Sequence, residues 1–175
     1  MFVFKEEYNM KKIAIIMGSD SDWPIVKAAA DTLKELDIPH TVRVISAHRS
    51  PLAAAEFSSA ARENGYAAII AAAGKAAHLA GAMAANTTLP VIGIPVKSST
   101  LDGLDALLAT VQMPSGMPVA TVAIDGAKNA ALLAAQIISV YEPEIADKLS
   151  AMRKDMTEKV MKKDKAFEEE FSYKI

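Results

Sequence analysis

The sequence predicts an α/β domain, doubly wound around a five-stranded parallel sheet. Two observations lead there. Five apolar runs, Ile13–Met17, Thr41–Ile45, Ala68–Ala72, Val91–Val96 and Val119–Ile124, are each followed by a polar or Gly/Pro-containing loop and then by helical patterning. The runs are also nearly continuous rather than alternating, which is the mark of strands covered by helices on both faces. Regular β-α alternation selects the doubly wound arrangement with right-handed crossovers.

The elements follow in order. Residues 1–11 read as an N-terminal extension, either an upstream start before Met10 or a flexible or docking segment. They are too short and too charged for a signal peptide. The first strand gives way to GSDSDW (18–23), where Ser21 or Asp22 can cap a helix that carries Pro24 in its first turn. The β-branched second strand stops at SAHRSP (46–51), and Ser50-Pro51 repeats the same helix-start grammar. The third strand runs into AGKAAHLAG (73–81), within an Ala-rich stretch suited to close helix packing. The fourth is followed by KSSTLDG (97–103), and the fifth by DGAKN (125–129) and a further Ala-rich helix. QMPSGMP (112–118) precedes the fifth strand, so it reaches the carboxyl edge of a sheet only from another subunit or by folding back.

The catalytic domain is expected over 12–142, with a helical tail over 143–175. Leu149, Met152, Met156 and Val160 form one apolar stripe on this otherwise charged segment, which needs a partner surface. That surface is either the chain's own domain or a neighbouring subunit. The last residues, KAFEEEFSYKI, are expected to fray.

Bulk properties narrow the function. With 175 residues, 51% of them hydrophobic and 23% charged, the chain has the makings of one globular domain. Net charge is −2 with no large basic block before residue 140, which argues against a nucleic-acid partner. The absence of Cys excludes disulfides, thiolate metal sites and cysteine nucleophiles, and fits a cytoplasmic location. No apolar run approaches the roughly 20 residues of a membrane span.

In open parallel sheets, ligands bind beyond the carboxyl ends of the strands, near the switch in strand order. The first such loop sets Ser19 and Ser21 hydroxyls and exposed amides at a helix start, an anion site. Asp22 is a candidate acceptor for ribose hydroxyls, and with Asp20 it favours a monophosphate bearing a diol over a bare polyphosphate. In the second loop, Arg49 can fork onto phosphate, while His48 can move a proton because free imidazole titrates near pH 6.5. Ser46 and Ser50 flank this pair. In the third, amides near Gly74 can cradle a carboxylate. Lys75 follows Gly74 without the Ser or Thr of a phosphate loop but is a candidate substrate-binding residue that adds positive charge to this pocket, and His78 is either a second site group or a helix-start residue. His40, His48 and His78 lack metal-ligand spacing, so no metal is expected. His40, at the opposite edge of the sheet, reads as structural.

MGSDSDW, SAHRSP, AAHLAG, IPVKSSTLDGLDALLATVQMPSGMPVATVAI and NAALLAAQI together resemble the PurE family, the 5-(carboxyamino)imidazole ribonucleotide mutases of bacterial purine biosynthesis. The similarity runs in unbroken order from about Lys12 to Leu149. It implies a flavodoxin-like three-layer αβα sandwich with a C-terminal helical extension, a homo-octamer with sites at subunit contacts, and no cofactor. It further implies a substrate-binding role for Ser19, Asp22 and Arg49, a general acid/base role for His48, and a place at the site for His78. The chain departs from the family's glycine-rich third loop at Ala72, Lys75 and Ala80, carries an extra Ala82, and has Ser115 where Gly or Arg is common.

Overall fold

A computed structural model describes residues 10–99 and 101–173. Five parallel strands, β1 (Lys12–Met17), β2 (His40–Val44), β3 (Tyr66–Gly74), β4 (Val91–Val96) and β5 (Ala120–Thr121), form one sheet in the order β2-β1-β3-β4-β5. The helices are α1 (Trp23–Glu35), α2 (Pro51–Ala60), α3 (Leu79–Ala84), α4 (Leu104–Val111), α5 (Ala127–Ser139) and α6 (Pro143–Phe171). The αβα sandwich is therefore present.

Each layer follows from burial. Ile13 and Ile15 of β1 join Ile70, Ile92 and Ile94 in a core closed by α1, α5 and the start of α6. Ala14, Ile16 and Ile69 face the opposite way, against α2 and α3. From β1 to β2 the chain moves one way through α1, and from β2 to β3 it moves back through α2. A single crossover hand demands that α1 and α2 lie on opposite faces, and they do. The N-terminal extension falls outside the described residues, apart from Met10, which packs on the α1 side of the core, and Lys11.

Three expectations need correction. The second strand is not buried on both faces: β2 is an edge strand bonded only to β1, and Val44 is 52% exposed. The fifth strand shrinks from six residues to Ala120–Thr121. Val122 and Asp125 still donate backbone N–H bonds to the carbonyls of Gly93 and Pro95, at 3.1 and 2.9 Å. Gly93 and Pro95 thus face β5, and proline has no N–H to return, so the ladder breaks there. The C-terminal segment does not fray early, since α6 stays helical to Phe171.

The tail helix divides along its length. Ile145 and Leu149 are buried, Met152 is partly buried, and Lys148 Nζ donates to the Leu36 carbonyl (3.0 Å) and pairs with Asp37 (2.8 Å). Beyond that the apolar stripe leaves the domain, with Met156 and Val160 largely exposed. Among the described residues no helix is long and apolar enough to cross a membrane.

Gly93 sets the spacing between sheet and α4. A Cβ there would lie 2.3 Å from Thr110 Cγ2, 3.1 Å from Val119 Cγ1 and 3.3 Å from Ala80 Cβ. Gly93→Ala is expected to destabilise the fold by about 1–3 kcal/mol, read as a lower urea midpoint. An unchanged midpoint would mean that α4 shifts without cost.

Candidate active site

The strand order reverses between β1 and β3, and the loops after them diverge to opposite faces of the sheet. A cleft of about 470 Å³ opens at this point. Loops after β1, β2, β3 and β4 line it.

The first loop is held by the Gly18 N–H, which donates to the Ala72 carbonyl (3.1 Å). Asp20–Asp22 then makes a single 3₁₀ turn before α1. Ser19 caps that turn: its Oγ accepts from the Ser21 N–H (3.3 Å) and from the Ser21 hydroxyl (2.9 Å). The expected capping of α1 by Ser21 or Asp22 does not occur, because no side chain bonds the amides of its first turn. The intervening turn occupies Ser21, and Asp22 is left to line the cleft. Burial raises the Asp22 pKa above its ordinary 3.8, with Asp20 adding to the effect and hydrogen bonds from Ser19 and Ser21 opposing it.

The second loop is closed by two serines. Ser50 Oγ accepts from the Ser46 N–H (3.1 Å) and donates to the Ser46 carbonyl (3.0 Å), while Ser46 Oγ accepts from the Arg49 N–H (3.1 Å). Ser50 therefore does not cap α2 with its side chain. This clamp fixes where His48 and Arg49 leave the backbone.

The third loop starts where β3 ends. A side chain at Gly74 would press on the Val96 carbonyl at 3.1 Å. Lys75 adopts a left-handed backbone, φ 54°. His78 occupies the N-cap of α3, but its ring makes no capping bond. Instead His78 Nδ1 lies 2.9 Å from His48 Nε2, with the rings edge to face and 5.0 Å apart. One of these two nitrogens donates and the other accepts, so the contact holds a single proton between them. The two alternatives for His78 thus coincide: it stands at a helix start and at the site.

All nine predicted residues, Ser19, Ser21, Asp22, Ser46, His48, Arg49, Gly74, Lys75 and His78, line the one cleft. Sequence reasoning missed Lys97 and Ser98, although the carboxyl-edge rule that selected their loop pointed at them. Lys97 pairs with Asp102 at 3.1 Å, and its N–H donates to Asp125 Oδ1 (2.8 Å), which is how DGAKN supports the site without lining it. Residues 116–118 of QMPSGMP line a second cleft of about 600 Å³, beside Leu89 at the start of β4. That is the far end of the sheet. His40 sits at the same end, its Nδ1 3.0 Å from the Ile38 carbonyl.

Comparison with known proteins gives a consistent result. The AIR carboxylase family matches residues 12–159. The N5-carboxyaminoimidazole ribonucleotide mutase of Pyrococcus horikoshii is 57% identical over 157 residues, covering 90% of this chain and 89% of that protein. The Escherichia coli protein of the same name is 50% identical over 155 residues, covering 87% and 92%. The crystal structure of Treponema denticola PurE superimposes with a TM-score of 0.81 at 28% identity, covering 92% of this chain and 98% of that one.

Because burial favours the protonated form of Asp22, folding loses stability as pH rises from 3.8 through the raised value. Asp22→Asn is therefore expected to raise the thermal midpoint at pH 7, and the gain is expected to vanish near pH 3. An equal gain at both pH values would trace the effect to something other than the carboxylate's charge.

Proposed function

The chain belongs to the AIR carboxylase family, and on that premise we propose that it is a 5-(carboxyamino)imidazole ribonucleotide mutase. It moves a carboxylate from the exocyclic nitrogen of the ribonucleotide to ring carbon C4, a step of purine biosynthesis. The observation that carries this reading is the His48–His78 contact, set in the same cleft as Arg49 and the Ser19–Asp22 turn.

In this reading Arg49, Ser19, Ser21 and Ser46 receive the phosphate, and Asp22 accepts from the ribose diol. That diol replaces part of the hydration Asp22 has lost. His48 protonates the carbamate nitrogen, the N–C bond breaks, and carbon dioxide is released beside the nucleophilic ring. Ala73, Ala76, Leu79 and Val96 give the cleft an apolar wall that retains it. Confinement then acts as effective concentration. C4 attacks carbon dioxide, and His48 takes the C4 proton, which restores both the aromatic ring and its own starting state. His78 orients the His48 ring, and amides near Gly74 receive the carboxylate. The proton that enters at nitrogen leaves from carbon, so no external acid or oxidant is consumed.

We infer also that the protein works as a homo-octamer in the cytoplasm. The outer half of α6 supports assembly through its exposed Met156, Val160, Met161, Phe167 and Phe171, as does the exposed face of α4 formed by Leu104, Leu108 and Val111.

His48→Asn is expected to abolish conversion while ligand affinity stays within about tenfold. Retained turnover would remove His48 from the proton steps. Uncarboxylated aminoimidazole ribonucleotide with low bicarbonate is expected to turn over poorly, and efficient turnover would assign direct carboxylation instead. Light scattering should give eight times the 18.6 kDa chain mass; a stable monomer would refute the octamer.

A further inference from the structure

We propose that Lys75 is a specificity-determining residue, whose ammonium recognises the carboxylate that separates carboxylated aminoimidazole ribonucleotides from the uncarboxylated form. The inference deepens the mutase reading and rests on it.

The first observation is conformational. Lys75 holds φ at 54°, a region that glycine enters freely and a long side chain enters only under strain. Such strain persists where the surroundings impose it and tends to cluster at ligand sites. Here β3 has just ended at Gly74, and the His78 N–H closes the turn onto the Ala76 carbonyl at 2.9 Å. A glycine would fit this turn without penalty, yet a lysine occupies it.

The second observation is electrostatic. Lys75 lines the cleft on the loop that carries His78, whose ring touches His48. Among the described residues no carboxylate pairs with it. Lys97, by contrast, is held by Asp102 at 3.1 Å. Acidic groups collect on the loop after β1, at Asp20 and Asp22, and a ligand carboxylate is repelled from there. The cleft is therefore polarised, with an unpaired third-loop cation lining the same cleft as the imidazole pair.

The third is chemical. An ammonium is a point charge with rotatable donors on a flexible stem, whereas a guanidinium fixes a planar fork. A carboxylate that leaves nitrogen and arrives at C4 changes position and orientation. A flexible point charge can bind it at both ends of that path.

The test uses the full chain with Lys75→Gln, Lys75→Gly and Lys75→Arg. Calorimetry with 4-carboxy-5-aminoimidazole ribonucleotide and with uncarboxylated aminoimidazole ribonucleotide reads the discrimination directly. The Gln and Gly variants are expected to bind the carboxylated ligand about tenfold more weakly, with the uncarboxylated one changed by less than about twofold. Lys75→Arg keeps the charge and is expected to retain the discrimination. Lys75→Gly relieves the turn, so a thermal midpoint no lower than that of the wild type separates lost recognition from lost folding. Parallel weakening of both ligands, or unchanged binding of both, would overturn the role of Lys75. Failure of the mutase reading is distinguishable: the wild-type protein would convert no substrate, whatever its variants bind.

Discussion

The reversal of strand order between β1 and β3 is the constraint on which everything else depends. Two adjacent parallel strands must send their following loops to opposite faces, because their helices pack on opposite faces. A crevice is left between the loops, and no backbone element crosses it. The same reversal brings four carboxyl ends, from residues 18, 46, 74 and 97 onward, to its rim. The chemistry is assembled from short loops, while accuracy comes from the sheet beneath. The parallel register, Ile15 with Val42 and with Ile70, sets how far each loop projects.

How legible this was in the sequence varied by residue. The strands β1, β3 and β4 announced themselves because both of their faces are buried, which forces an unbroken apolar run. Thr41–Ile45 looks similar, but an edge strand is covered unevenly, and composition does not report how many neighbours a strand has. The last strand reads as longer than it is because Val119–Ile124 is apolar apart from Thr121. What limits it is Pro95 on the adjacent strand, whose register against β5 the sequence alone does not give. The site was more legible than the edges, since loops at carboxyl ends can be searched directly. Even so, the contact between His48 and His78 joins residues thirty positions apart, and only packing brings them together. Lys97 and Ser98 escaped notice because neither belongs to a local pattern with a chemical meaning.

The cleft shows a division between side chains that brace its loops and side chains that face its interior. Ser50 spends its hydroxyl on the Ser46 backbone and Ser46 Oγ accepts from the Arg49 N–H, while one loop earlier Ser19 Oγ accepts from the Ser21 N–H and hydroxyl. These bonds make short loops rigid without help from a core. The groups they display are kept partly unsatisfied: Asp22 loses hydration, and Lys75 keeps a strained turn. A site poised in this way gives up some stability when empty, and a ligand restores it on binding.

The shortness of β5 has a consequence for how copies of this chain can meet. A long bare sheet edge is a template on which a second chain can add a strand, the geometry behind runaway aggregation. Here one edge offers only Ala120 and Thr121. The other, β2, carries Arg43, whose guanidinium lies 5.5 Å from the Phe57 ring. Neither border invites a continuous intermolecular sheet. Association is left to helix surfaces, whose contacts are side chain to side chain and so depend on particular residues. A sheet that ends this way can be concentrated without being drawn into open-ended fibres.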